Sequence, residues 1–263
     1  MKVLLIATVQ SHICQFHKPL VAMLHEHDCE VHVAARNNLA EKNGLKLDFV
    51  EQVFDVPFQR SPFSPKNLGA YKQLKEIIDE GGYDVIHCNT PVGGVLGRLA
   101  ARKARKHGTK VFYTAHGFHF YKGAPKKNWL IWYPIEKFMC RYTGKLITIT
   151  REDYDLASAK FPTQVERIHG VGANTAKYHK LSEAECMELR HELGYADDDK
   201  LLLCTGELLP NKNQITAIRT MKILTEKQSN IKLLLAGNGP TLPELQAEVA
   251  ALGLQEHVEF LGY

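Results

Sequence analysis

The 263-residue chain lacks any hydrophobic run long enough to cross a bilayer. Its apolar stretch near the start, Val3 to Val9, is too short for that and carries no signal-cleavage pattern, so position 1 is expected to be the N-terminus of a cytosolic protein. Cysteine is sparse and scattered. Cys14, Cys29, Cys88, Cys140, Cys186 and Cys204 form no Cys-x-x-Cys pair, which excludes a zinc ribbon or disulfide framework and leaves reduced thiols. No dinucleotide-binding glycine fingerprint follows the first apolar run, which argues against a nicotinamide enzyme. A Walker loop is also missing, because no glycine precedes Lys212 and no Ser or Thr follows it. Neither sign of charge dominates: 33 Lys and Arg stand against 29 Asp and Glu. With 44% hydrophobic and 24% charged residues, the composition is that of a globular chain and excludes a disordered or collagenous one.

The small net charge of +4 hides an asymmetry. Residues 1–180 hold 26 Lys/Arg and 16 Asp/Glu, a net +10, whereas residues 181–263 hold 7 and 13, a net −6. Two lobes with different partners are implied, the basic one suited to phosphates on a substrate, a lipid or a nucleic acid.

Strand and helix patterns alternate throughout. Buried strands are predicted at 2–7, 30–35, 84–88, 110–114, 145–150 and 165–169, with helices at 17–27, 68–80, 91–106 and 129–142. The pattern restarts with a helix at 182–193, where Ser182 and Glu185 form a capping box. Strands at 201–204, 232–236 and 258–261 then alternate with helices at 214–225 and 242–252. This predicts an α/β fold, a doubly wound Rossmann-like domain over 1–175 and a partial one over 176–263, too thin to be a whole domain.

Ligands of such sheets gather at the carboxyl ends of strands. In LLLCTGELLPNKN (201–213) a buried strand ends on Gly206-Glu207 and leads to Lys212-Asn213 at a helix start, a place that attracts anions. Gly237-Asn238-Gly239 follows the next strand, and its glycines would let backbone amides approach a phosphate or base. His116, before Gly117 at another strand end, could orient a substrate hydroxyl. Gln10, Ser11 and His12 form the loop after the first strand, placed to contact substrate. His119 has no neighbouring carboxylate, and Asp197-Asp198-Asp199 reads as a solvated turn, so no metal site is expected at either. From Phe118 to Lys145, aromatic residues alternate with lysine and arginine, which suits an anionic membrane surface.

With these residues in hand, the chain resembles the family 4 retaining glycosyltransferases of GT-B architecture, in particular their bacterial capsular and exopolysaccharide branch. The resemblance is carried by ATVQSHICQFHKP, EVHVAAR, DVIHCNTPVGGVLGRLAARK, VFYTAHGFHFYKG, TGELLPNKNQ and AGNGP, in that order. It implies metal-independent, cofactor-free transfer of a sugar from a nucleotide donor, a UDP-sugar in most relatives, with retained configuration. Lys212 and Asn213 would hold the donor diphosphate, Gly206, Gly237, Asn238 and Gly239 would line the nucleotide, and His116 would reach the donor sugar. Many relatives carry arginine where Glu207 stands; a glutamate cannot pair with the diphosphate, which leaves Lys212 and helix N-termini. Gln10, Ser11 and His12 would lie on the acceptor side, facing a saccharide or lipid-pyrophosphate-linked sugar at the inner membrane face. Relatives continue for roughly another hundred residues, so a partner chain completing the donor lobe is one expectation. The alternatives are a non-catalytic glycosyltransferase-like subunit and, less favoured, a sugar-nucleotide epimerase. Nucleic acid is not an expected partner, because no binding motif accompanies the basic excess.

Overall fold

The computed structural model describes residues 1–41, 44–172 and 174–263. The chain forms two compact units, Met1–Ala173 and Asn174–Tyr263.

The first unit runs β1 (Lys2–Val9), α1 (Gln10–Phe16), α2 (Lys18–Glu26), β2 (Glu30–Arg36), β3 (Gln52–Asp55), α3 (Asn67–Gly81), β4 (Val85–Asn89), α4 (Pro91–Ala100), α5 (Arg102–Lys106), β5 (Lys110–Ala115), α6 (Lys126–Met139), β6 (Lys145–Thr148), α7 (Arg151–Lys160) and β7 (Gln164–Arg167). Its seven strands lie in the order β3-β2-β1-β4-β5-β6-β7, all parallel. The order reverses between β1 and β4, the topological switch point at which open α/β sheets place their ligands. β1 shows why its run is apolar without interruption. Leu4 and Ile6 enter one core with Leu74, Ile78 and Val92, while Val3, Leu5 and Ala7 enter another with Ile13 and Val21. A strand covered on both faces has no position to spare for water.

α4 approaches the sheet unusually closely. A Cβ at Gly94 would meet the Tyr113 ring at 2.5 Å, and one at Gly97 would meet Cys88 Sγ at 2.6 Å. The same helix carries a fully buried Arg98, whose Nη2 donates to Glu136 Oε2 at 2.8 Å and whose Nε donates to the Gly94 carbonyl at 2.8 Å. Its guanidinium lies 3.9 Å from the centre of the Tyr113 ring. A charge this deep is tolerated only with such a partner.

The expected single helix over 91–106 is interrupted at Ala101, which separates α4 from α5. The expected loop at Gln10, Ser11 and His12 is instead the first turn of α1, which starts directly after β1 with no side-chain cap. Two elements without a prediction lie at opposite edges of the sheet: β3 forms one edge, and α7 covers β6 and β7 at the other.

The second unit runs α8 (Glu183–Glu192), β8 (Lys200–Thr205), α9 (Gln214–Thr225), β9 (Ile231–Ala236), α10 (Leu242–Leu252) and β10 (Val258–Gly262). Its parallel three-stranded sheet has the order β10-β9-β8. The Ser182–Glu185 capping box is present at the start of α8. Leu233, Leu235, Ile218, Met221, Leu245 and Val249 form its core. The edge strand β8 leaves Leu202 42% and Leu203 64% exposed.

Candidate active site

At the switch point of the first unit, the carboxyl ends of β1, β4 and β5 bring four histidines together. His12 comes from α1, His17 from the junction of α1 and α2, His87 from β4, and His116 from the residue after β5. His12 Nε2 lies 3.3 Å from His116 Nε2, and His116 Nε2 lies 3.3 Å from Asn89 Oδ1. The His12 and His116 rings meet edge to face at 4.6 Å. His87 Nε2 is 2.7 Å from Thr114 Oγ1. Asn89 is fully buried, and its amide donates to the His87 carbonyl at 3.3 Å, which fixes its carbonyl oxygen toward His116.

The turn from β4 into α4 adds hydroxyls. Thr90 adopts φ 63, ψ 155, a conformation that a β-branched residue adopts only under constraint. Its Oγ1 accepts from the Thr8 amide at 2.9 Å and lies 2.7 Å from Thr8 Oγ1, so the strained turn is tied to the end of β1.

Burial decides the charge of this cluster. Desolvation, followed by the neighbouring imidazoles, pushes His12 down to about 3 and His87 to about 3. Desolvation and His17 push His116 to about 4, and desolvation also lowers His17. Near neutral pH these rings are uncharged hydrogen-bonding groups, not cations. Gln10 and Ser11 lie beside the cluster but are spent internally. Gln10 Nε2 donates to the Ala35 carbonyl at 3.5 Å, and Ser11 exchanges hydrogen bonds with Asn38 at 3.0 and 2.9 Å. A hollow of about 860 Å³ opens at the opposite edge beside Met1, Tyr83, Asp84 and Lys110. It lies at the amino ends of the strands, away from the switch point, and none of the four clustered histidines lines it.

In the second unit the two glycine loops lock onto each other. A Cβ at Gly237 would fall 1.9 Å from the Gly206 carbonyl oxygen, and one at Gly239 would fall 2.2 Å from that of Leu208. The Gly206 amide donates to Ala236, that of Leu208 to Asn238, and that of Gly237 to Gly262. The amides of Gly206 and Gly237 are thus both taken up by backbone carbonyls, and the two loops pack backbone to backbone. Beyond the loops, Glu207, Lys212, Asn213 and Asn238 are exposed, and Asn213 has a left-handed φ of 55 at the start of α9. Among the described residues Lys212 pairs with no carboxylate. The hollow between Pro210, Asn213 and Thr241 is about 160 Å³. That is below the roughly 300–1,000 Å³ of a small-molecule pocket, so the charge on Lys212 is the strongest feature here.

The aromatic segment divides in two. Phe118 and Phe120 are buried and stack at 4.7 Å, and Trp129 and Tyr133 pack against Phe120. What α6 leaves exposed is Leu130, Ile131 and Phe138 among Lys126, Lys127 and Lys137. Among the described residues no helix is long and apolar enough to cross a membrane.

The Glycosyl transferase 4-like family model matches residues 2–150, and the model for glycosyl transferases group 1 matches residues 187–263. The chain belongs to the glycosyltransferase 4-like family. It is 46% identical to EpsD of Bacillus subtilis (strain 168), named as a glycosyltransferase, over 100% of this chain and 68% of that protein. It is 24% identical to the UDP-Gal:alpha-D-GlcNAc-diphosphoundecaprenol alpha-1,3-galactosyltransferase of Escherichia coli, over 86% of this chain and 60% of that protein. The fold is similar to that of Anabaena Alr3699/HepE, solved in complex with UDP and glucose, with a TM-score of 0.71 at 20% identity. That likeness covers 100% of this chain and 69% of HepE, and it supports the GT-B reading of the fold. The chain thus spans about two thirds of EpsD and HepE and less of the galactosyltransferase.

His17, His87 and Asn89 were not singled out by sequence. They share no local spacing with His116, and only the strand order brings them to it.

Proposed function

We propose that this chain serves in the retaining transfer of a sugar from a UDP-sugar to a saccharide carried on a lipid pyrophosphate, in exopolysaccharide synthesis. The observation that carries the reading is the polar cluster of His116, Asn89, His12 and Thr90 at the switch point of a chain of this family. The E. coli galactosyltransferase, which by its name takes UDP-Gal and a diphosphoundecaprenol-linked acceptor, supports the choice of donor and acceptor class.

Uncharged at neutral pH, His116 acts as a hydrogen-bonding partner for a sugar hydroxyl and not as a counter-charge. The developing charge on the leaving diphosphate falls to Lys212, and an oxocarbenium-like transition state gains from a cation placed there. Asn213, Gly206, Glu207, Gly237, Asn238 and Gly239 shape the nucleotide side. Transfer itself uses no metal cofactor. The exposed apolar and basic residues of α6 rest on an anionic membrane surface, close to a lipid-linked acceptor.

Titration of the chain with UDP tests the donor assignment. UDP binds the wild type, and Lys212→Ala weakens binding at least about tenfold, the cost of losing a charged hydrogen bond. Binding to both proteins alike removes Lys212 from the site; no binding to the wild type favours the non-catalytic reading.

A further inference from the structure

We propose that His12, His17 and His116 form a binding site for a divalent transition-metal ion of the zinc type. One ring nitrogen from each of the three lies within 4.8 Å of the others. The His12–His116 nitrogen separation of 3.3 Å matches the spacing of two imidazole ligands on one tetrahedral ion, about 3.3 Å for metal–nitrogen bonds of roughly 2.0–2.1 Å.

The hydrogen bonds are incomplete without an ion. His116 Nε2 faces both His12 Nε2 and Asn89 Oδ1 at 3.3 Å. A neutral imidazole nitrogen is a donor or an acceptor, so one hydrogen on it serves only one of the two neighbours. His17 is 95% buried (5% exposed), and its Nδ1 has no hydrogen-bond partner among the described residues. A cation can be shared by all the converging lone pairs, as a single hydrogen cannot.

The ligand set also selects the metal. Three imidazoles with no carboxylate in the cluster suit zinc, copper or nickel, whereas magnesium and calcium demand oxygen ligands. Three protein ligands leave a fourth position for water or an oxygen from a bound molecule. An ion held here takes the His116 lone pair, so metal and sugar hydroxyl compete for it. That consequence rests on the transferase reading; metal binding does not.

The test is calorimetric titration of the chelator-treated full chain with zinc chloride in excess magnesium chloride, alongside cobalt chloride followed by visible absorption. The wild type binds one equivalent of zinc with a micromolar or lower Kd and shows tetrahedral cobalt bands. Removing a ligand costs more than the roughly 10–100-fold that outer-shell partners carry. His17→Ala and His116→Ala each therefore weaken zinc binding at least tenfold and abolish the cobalt bands. His119→Ala, an exposed ring stacked on Trp132, changes neither. Should His17→Ala fail to fold, the partly exposed His116 position carries the test alone. Zinc binding no tighter than millimolar in the wild type, or unchanged in His116→Ala, overturns the site.

Discussion

The two units put their chemistry in opposite surroundings. In the first, a seven-stranded sheet covered on both faces holds polar residues in a largely buried cluster, and every histidine whose pKa is displaced lies there. In the second, a three-stranded sheet carries Lys212, Glu207 and Asn213 in the open, with exposed leucines along its β8 edge. The first unit's site is preorganised by burial, so its histidines are neutral and fixed. The second is preorganised by backbone packing alone, so its charge stays solvated until a ligand covers it. Of the two candidate sites, the desolvated one lies in the first unit and the one with a solvated cation in the second.

That contrast can be broken most severely at Glu136. Glu136→Gln leaves Arg98 charged and unpaired in the core, and urea unfolding should show a loss of about 3–5 kcal/mol. A loss below about 1 kcal/mol would mean that Arg98 reaches water. Next comes Gly237→Ala, where a left-handed φ of 153 and the Gly206 carbonyl together oppose any side chain. Backbone strain of order 1–3 kcal/mol should lower the melting temperature of the second unit and weaken UDP binding. Amide exchange in β1 should be unaffected.

Acid should act on the first unit. His87 has a folded pKa of about 3, below its ordinary value of 6.5, so between those pH values the unfolded chain binds a proton that the folded chain does not. Its contribution is therefore complete above about pH 6.5 and is lost as pH falls toward 3, at up to about 1.4 kcal/mol per pH unit. Denaturation at pH 7, 6 and 5 checks the sign, and a flat profile would place this histidine in water. The smallest effect belongs to the β8 edge: Leu203→Ala, at a 64% exposed position, should change stability by less than about 0.5 kcal/mol.

Much of this architecture was legible in the sequence. The helices at 214–225 and 242–252 coincide with α9 and α10, because amphipathic spacing and clear breakers bound them. α1 escaped notice because it follows β1 with no capping side chain to announce it. β3 is a four-residue, half-exposed edge strand with too few residues to show a period. α7 is mostly polar, although Thr150, whose side chain accepts from the Asp153 amide, is a readable cap. For the site, strand ends pointed to His116 and Lys212; His116 directly follows β5, and Lys212 lies seven residues beyond the end of β8. What sequence could not supply was the company of His116. His12 lies 104 residues away and Asn89 27, and no local pattern reports a contact made by strand order. Nor does any local pattern report that Gly237 packs against the Gly206 carbonyl, on a different strand end.

Arg98 also bears on the order in which the first unit folds. A guanidinium cannot be neutralised by giving up a proton at physiological pH, so α4 cannot settle onto the sheet until α6 delivers Glu136. The two helices are far apart in sequence, yet neither has a low-energy docked state without the other. Docking of α4 and α6 is thus a single cooperative event, and a half-assembled core is disfavoured on both sides of it.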